Sequence, residues 1–255
     1  NKTNDIKYHI MLPNICIGVP TNLIKNYCFP EWQYHIKNID YPKERIEKII
    51  CDNSKTLNYG KYLQSFGFKV RHIRPEGKSI GFILADTHNS IRKYFLENDF
   101  DYLLHLESDI MIESQTLQTL LAHKKDVVGA IYFSDKGEHS RPVILQAEKY
   151  ITPIAPHKKI TWIGWKDSLH FCDGNVKQVH SIGLGCLLIS RRVMEKIPFR
   201  YKLNEVEAAP DTFFVEDCLK HNISIFADTS IILRHENQDW NKNLNFQLQK
   251  ISEKK

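Results

Sequence analysis

No apolar run in this 255-residue sequence approaches the ~20 residues that a membrane span needs, and no secretory apolar region follows the N-terminus. The expectation is a soluble protein without a membrane span. Paired cysteine motifs are also missing. Cys16, Cys28, Cys51, Cys172, Cys186 and Cys218 form no Cys-x-x-Cys pair, and three of them (Cys16, Cys51, Cys186) lie in apolar strand-like runs, which predicts reduced core thiols in a cytoplasmic protein. Charge of one sign is lacking too: 35 Lys+Arg against 30 Asp+Glu gives a formal +5 without long basic blocks. That balance permits an anionic ligand without demanding nucleic acid. The 12 histidines are scattered, not spaced as zinc ligands. There is no P-loop, and support for an α/β-hydrolase triad is small. Gly183-x-Gly185 has Leu188 where a dinucleotide loop needs its third glycine, so close approach of backbone or ligand explains the pair better. No internal repeat or low-complexity segment appears. The chain opens on Asn1, which is compatible with a removed leader or tag.

What is present is ordinary globular composition, 42% hydrophobic and 25% charged, at a length one α/β domain reaches. Strand-like runs at 15–19, 46–51, 68–73, 101–106 and 126–133 alternate with helix-like segments at 31–39, 59–66, 86–98 and 114–123. Such alternation predicts a parallel sheet. The third helix has Thr87 or Asn89 available as N-cap. The stretch 134–179 reads as an irregular surface excursion. Regularity resumes with a strand at 180–189, a helix at 190–197 stopped by Pro198, a helix at 211–221, and strands at 223–227 and 231–233. The tail 237–255 is polar.

Glu107-Ser108-Asp109 closes the apolar run 101–106 and sets two carboxylates at the mouth of a buried strand. An extended backbone would point Glu107 and Asp109 the same way, about 7 Å apart. Like charges so placed repel, and Mg²⁺ or Mn²⁺ with oxygen ligands would reverse the sign of the interaction. The first two strands also end in polar turns, Pro20-Thr21 and Asp52-Asn53-Ser54, and ligands of open parallel sheets sit beyond strand carboxyl ends. A nucleoside diphosphate fits that combination.

The order Ile17-Gly18-Val19-Pro20-Thr21, Ile49-Ile50-Cys51-Asp52-Asn53-Ser54, Asn89-x-x-Arg92 and Glu107-Ser108-Asp109 resembles the nucleotide-sugar glycosyltransferases of the GT-A fold, particularly family 2. Gly183-x-Gly185 with the run to Val193 is similar to that family's acceptor-side strand and helix. Asp211-Thr212-Phe213-Phe214, then 222–228 and His235, are similar to its acidic motif, helix, strand and terminal histidine. The likeness spans roughly residues 13–236 and departs in two places. Glu107 stands where the metal motif usually begins with Asp, and Pro210-Asp211 replaces the usual Glu-Asp, with Glu216-Asp217 a second acidic pair.

The resemblance implies a single GT-A domain over 1–255, a Rossmann-like three-layer α/β/α sandwich with a mainly parallel central sheet. Its nucleotide-sugar half would be about 13–133, its acceptor half about 134–236. Pro20, Thr21, Asp52 and Asn53 would hold base and ribose, with Asn89 and Arg92 nearby and Glu107, Ser108 and Gly185 also on substrate. Mn²⁺ or Mg²⁺ would sit on Asp109, with Glu107 and His235 as partners. The implied activity is hexosyl transfer from a UDP-linked or other nucleoside diphosphate sugar, with Asp211 as general base if the anomeric centre inverts. A glycan, lipid or protein, or DNA carrying a modified base, could be the acceptor. Trp162, Trp165 and Trp240 could stack on a sugar or base, but local hydrophobic anchoring explains them better. The rival readings are a sugar-nucleotide nucleotidyltransferase, disfavoured because the first strand lacks a glycine-rich activating loop, and a non-catalytic nucleotide- or carbohydrate-binding module.

Overall fold

Strands that are apolar on both sides need cover on both faces, and the computed structural model supplies it with a helix layer on each. It describes residues 12–134, 141–147, 160–162, 171–203 and 206–236. The chain runs β1 (Ile15–Thr21), a 3-10 turn (Leu23–Lys25), α1 (Phe29–Lys37), β2 (Ile46–Asp52), α2 (Asn58–Gln64), β3 (Lys69–His72), α3 (Ile80–Leu96) and β4 (Tyr102–Leu106). It continues through β5 (Ile110–Met111), α4 (Thr116–Ala122), β6 (Val127–Ser134), β7 (Arg141–Pro142), β8 (Ile144–Ala147), β9 (Ile160–Trp162), β10 (Val176–Val179) and β11 (Ser181–Ile182). Then come β12 (Cys186–Ser190), α5 (Arg191–Lys196), β13 (Lys202–Leu203), β14 (Val206–Glu207), α6 (Pro210–Lys220) and β15 (Ile225–His235).

The main sheet has the order β10-β15-β6-β12-β4-β1-β2-β3. Neighbours from β3 to β4 are parallel, as are β6 and β15, while β12 is antiparallel to both β4 and β6 and β10 is antiparallel to β15. Side chains alternate across the pleat. Ile15, Ile17 and Val19 of β1 join Trp32 of α1, Leu63 of α2 and Leu117 of α4 on one face. On the other face Cys16 joins Ile91 and Phe95 of α3, Val193 of α5 and Phe214 of α6. The expected three-layer α/β/α arrangement with a mostly parallel sheet is therefore present. A Cβ at Gly18 would lie 2.2 Å from Ile91 Cγ2, so glycine lets α3 seat directly on β1.

Four expectations change. Helix α3 starts at Ile80, and its N-cap is Ser79, whose Oγ accepts from Phe82 N at 3.3 Å; Thr87 and Asn89 lie within the helix. Ser79 also stands in Gly77-Lys78-Ser79-Ile80-Gly81, a string with nucleophile-elbow spacing, but it lies seven residues past β3 as an exposed helix cap. The 134–179 stretch is not wholly irregular: β10 joins the main sheet, and β8 pairs with β9 and β11. The single strand expected at 180–189 is broken into β11 and β12 by Gly183-Leu184-Gly185. The two strands expected at 223–233 are instead one, β15, with a register shift between Asp228 and Ile232. There Asp228 Oδ1 accepts from Ser230 N at 2.9 Å and Ser230 Oγ at 2.6 Å, while its Oδ2 meets His123 Nε2 at 2.7 Å. This bulge redirects the strand so that Arg234 and His235 pair with Met111 and Ile110 of β5.

All six cysteines are free thiols, and five of them are buried. No helix among the described residues is long and apolar enough to cross a membrane. Trp165, Trp240 and the polar tail lie outside the described residues, and Trp162 is described only through its backbone in β9.

Candidate metal and donor site

The carboxyl ends of β1, β2 and β4 open on the same edge of the sheet, because those strands are parallel neighbours. After β4 the chain does not stay extended. Residues 107–109 form a turn, with Ile110 N donating to Glu107 O at 3.2 Å and Glu107 N donating to Gly185 O at 2.9 Å. The turn, not the pleat, gathers the acids: ligand atoms of Glu107, Asp109 and His235 all lie within 4.8 Å of one another. His235 arrives from β15, held to the turn by Glu236 N donating to Asp109 O at 2.8 Å.

Electrostatics within this cluster are strongly biased. Burial and the adjacent Asp109 charge push the Glu107 carboxyl up to about 7, with Lys25 and His235 acting in the opposite sense. Burial also works against the Asp109 carboxylate, but the His235 hydrogen bond and the Lys25 charge outweigh it and hold Asp109 below the usual range. His235 is shifted up: the Asp109 carboxylate overcomes the opposing effect of burial. The Lys25 ammonium forms an ion pair with Asp109 Oδ2, the same oxygen that faces His235 Nε2 at 3.3 Å.

Two observations fit a divalent cation. Asp109 Oδ1 is buried and has no hydrogen-bond partner, which is costly for a carboxylate oxygen. His235 Nδ1 lies 3.0 Å from Phe133 O, and a carbonyl can only accept, so Nδ1 carries the proton and Nε2 is left facing the carboxylates. A ring nitrogen fixed by a backbone carbonyl with its other nitrogen turned to acids is the usual support of a metal-binding histidine. An ion with bonds of about 2.1 Å would set its ligand atoms roughly 3–4 Å apart, compatible with this cluster.

Thr21 and Ser108 join β1 to the acidic turn through an Oγ1···Oγ contact of 2.8 Å. Asn53 accepts from Asn22 Nδ2 at 2.7 Å and donates to Thr87 Oγ1 at 3.2 Å. Asp52 is fully buried: its Oδ1 accepts from Ser54 N at 2.9 Å and its Oδ2 meets His72 Nδ1 at 3.2 Å. Burial raises its pKa, opposed by the Ser54 and His72 bonds. Pro20 is half-buried at the end of β1.

Gly185 N donates to Tyr132 Oη at 3.0 Å, and a Cβ there would lie 2.5 Å from Tyr132 Cζ, so this glycine serves close packing on Tyr132. The Tyr132 ring meets the His235 ring edge-on at 5.4 Å. Asp211 lies in the first turn of α6, with its Oδ1 accepting from Thr212 N at 2.7 Å, and its charge adds a small part, after burial and nearer acids, to the upward shifts of Glu107 and Tyr132. Of the second acidic pair, Asp217 is held bidentately by Arg200 at 2.7 and 2.8 Å, and Glu216 is buried.

Asn89 and Arg92 do not fit the nearby role the resemblance implies. Asn89 pairs both ways with the Phe199 backbone, at 2.6 and 2.9 Å, and Arg92 donates to Met194 O at 2.6 Å and Glu195 O at 3.1 Å. Their polar atoms tie α3 to α5 and the segment after it. Conversely, sequence reading passed over Lys25 and Tyr132. A lysine four residues beyond a strand-end threonine was the only signal for the first, and the paired glycines that need an aromatic partner were the signal for the second.

No family model and no curated protein matches this sequence. Among solved structures, TarS 1-349 of S. aureus in complex with UDP-GlcNAc shares 14% identity at a TM-score of 0.55, over 93% of this chain and 65% of that one. A further crystal structure of TarS 1-349 matches at 14% identity and a TM-score of 0.54, over 91% and 63%. A197 from STIV shares 16% identity over 88% of this chain and 86% of that chain, at a TM-score of 0.45. The chain thus spans just under two thirds of the TarS 1-349 chains it matches. Together with the layered, mostly parallel sheet, the TarS likeness shows a GT-A, Rossmann-like fold.

Proposed function

We propose that this chain is a metal-dependent hexosyltransferase that moves a sugar from a nucleoside diphosphate sugar, UDP-linked, to an acceptor hydroxyl on a glycan or a modified DNA base. The observation that carries the reading is the unpartnered buried Asp109 Oδ1 beside Glu107 and His235, at the carboxyl edge of a parallel sheet. A neighbour of the same fold was solved with UDP-GlcNAc, which supports the donor class. The whole chain would act as one domain, with donor contacts in about 13–133 and acceptor contacts in about 134–236. Buried free thiols support the reduced, cytoplasmic setting expected for it.

In this reading Asp109, Glu107 and His235 hold Mn²⁺ or Mg²⁺. The bound ion supplies Lewis-acid neutralisation of charge on the leaving diphosphate. Thr21 and Ser108, already bonded to each other, brace the donor side of the turn. Pro20 and Asn53 flank the base and ribose, and Asp52 stiffens their turn through Ser54 and His72. Gly185 keeps the acceptor side close to Tyr132. Asp211 takes the proton of the acceptor hydroxyl if the transfer inverts.

The test is UDP release from a panel of UDP-sugars with Mn²⁺, for wild type and Asp109→Ala. A loss of at least about 1000-fold is expected, since metal stabilisation of the leaving group amounts to several kcal/mol. Undiminished turnover in Asp109→Ala would remove the reading. Pyrophosphate release from UTP and a sugar 1-phosphate, with no UDP release from UDP-sugars, would instead identify a nucleotidyltransferase.

A further inference from the structure

We infer that Lys25 is a built-in counter-ion of the site, which holds Asp109 while no donor is bound, competes there with the divalent cation, and moves to the donor diphosphate when cation and donor bind together. The inference rests on the proposed donor site and deepens it.

The backbone of Lys25 is fixed where two strand ends meet. Its N–H donates to Asn22 O at 2.8 Å, Leu23 N donates to Ser54 Oγ at 2.8 Å, and Asn22 Nδ2 donates to Asn53 O at 3.0 Å. From that anchor a four-carbon stem carries three rotatable donors to Asp109 Oδ2. The pair is deep: the Lys25 side chain is 16% exposed and that of Asp109 0%. Screening there is weak, so one positive charge offsets part of the repulsion between Glu107 and Asp109.

A divalent cation needs the same carboxylate. Lys25 and the cation are both positive, and at a separation of a few ångströms in a partly dry site they oppose each other by about tenfold or more in affinity. A diphosphate changes the sign, since its negative oxygens can take the ammonium while the cation takes Asp109. Cation and donor then bind cooperatively, each raising the affinity for the other by the same factor. The unpartnered Asp109 Oδ1 is the oxygen left for the cation while Lys25 occupies Oδ2.

The measurement is Mn²⁺ binding, read from the paramagnetic resonance of the free ion with and without UDP. Wild type, Lys25→Met, Lys25→Arg and Asp109→Asn are compared, each checked for fold by circular dichroism. Lys25→Met should bind Mn²⁺ alone about tenfold or more tighter than wild type, and Lys25→Arg should stay near wild type. UDP should tighten Mn²⁺ binding more in wild type than in Lys25→Met. Measurable but equal Mn²⁺ affinity in wild type and Lys25→Met overturns the inference and leaves the metal site standing. Absent Mn²⁺ binding in both, or undiminished binding in Asp109→Asn, overturns the metal site and the inference with it.

Discussion

His105 shows how much a single side chain can carry without touching a ligand. It lies on β4 at 0% exposure, with Nδ1 2.6 Å from Leu184 O and Nε2 2.9 Å from His88 Nδ1. Because Leu184 O can only accept, His105 donates from Nδ1, and His88 donates to its Nε2. The chain of two neutral rings thus holds the Gly183-Leu184-Gly185 segment whose last carbonyl binds Glu107 N. Burial lowers His105 to about 4 and His88 well below its ordinary value, the latter also through the charge of His105. A base with a depressed folded pKa is protonated first in the unfolded chain, so stability falls as pH drops from about 6.5 towards 4. For His105 the full effect is on the order of 3 kcal/mol. Glu107, with a raised folded pKa, acts in the opposite sense between about 4.5 and 7 and flattens the wild-type curve. His105→Gln should be less stable than wild type at pH 7, and urea denaturation should show the gap closing by about 3 kcal/mol as pH falls to 4. A gap that stays constant with pH would show that burial does not lower the His105 pKa in the native protein.

At the scale of elements, the placement of α3 decides which of its side chains face the sheet and which meet the neighbouring backbone. Its apolar residues Ile83, Ile91 and Phe95 face the sheet, and Asn89 and Arg92 meet the backbone around Met194 to Phe199. Asn89→Ala removes two hydrogen bonds, one to the N–H and one to the carbonyl of Phe199, and should cost about 1–3 kcal/mol in thermal unfolding. Donor KM should stay within about twofold, because no donor contact is lost. A tenfold rise in donor KM with unchanged stability would restore the role that the resemblance implied. The start of α3 escaped sequence reading because Ile80 and Phe82 are exposed apolar residues and Gly81 is a poor helix former, so the first turn carries no amphipathic signal. Strand β10 was hidden for the opposite reason: Val176-Lys177-Gln178-Val179 is a short, half-exposed edge with polar residues on it.

For the whole molecule, the continuity of one sheet matters most. Strand β12, from the second half of the chain, lies between β4 and β6 of the first half and pairs with both. Neither half can therefore complete its sheet alone. Calorimetric melting should show one transition, with van't Hoff and calorimetric enthalpies in agreement. Two resolved transitions would mean that the two halves of the chain fold separately.

Sequence alone determined the alternating strands and helices, the polar turns ending β1, β2 and β4, and the identity of the acids at residues 107 and 109. These are local matters of hydrophobic period and strand-end chemistry, legible in any window of a dozen residues. Tertiary structure decided which of those groups meet. His235 reaches Asp109 only because a bulge at Asp228 bends β15 onto β5, Lys25 reaches it only across the gap between β1 and β4, and Asn89 and Arg92 are turned to α5 by the seating of α3 on β1. Each depends on contacts between residues far apart in the chain, which no local pattern encodes.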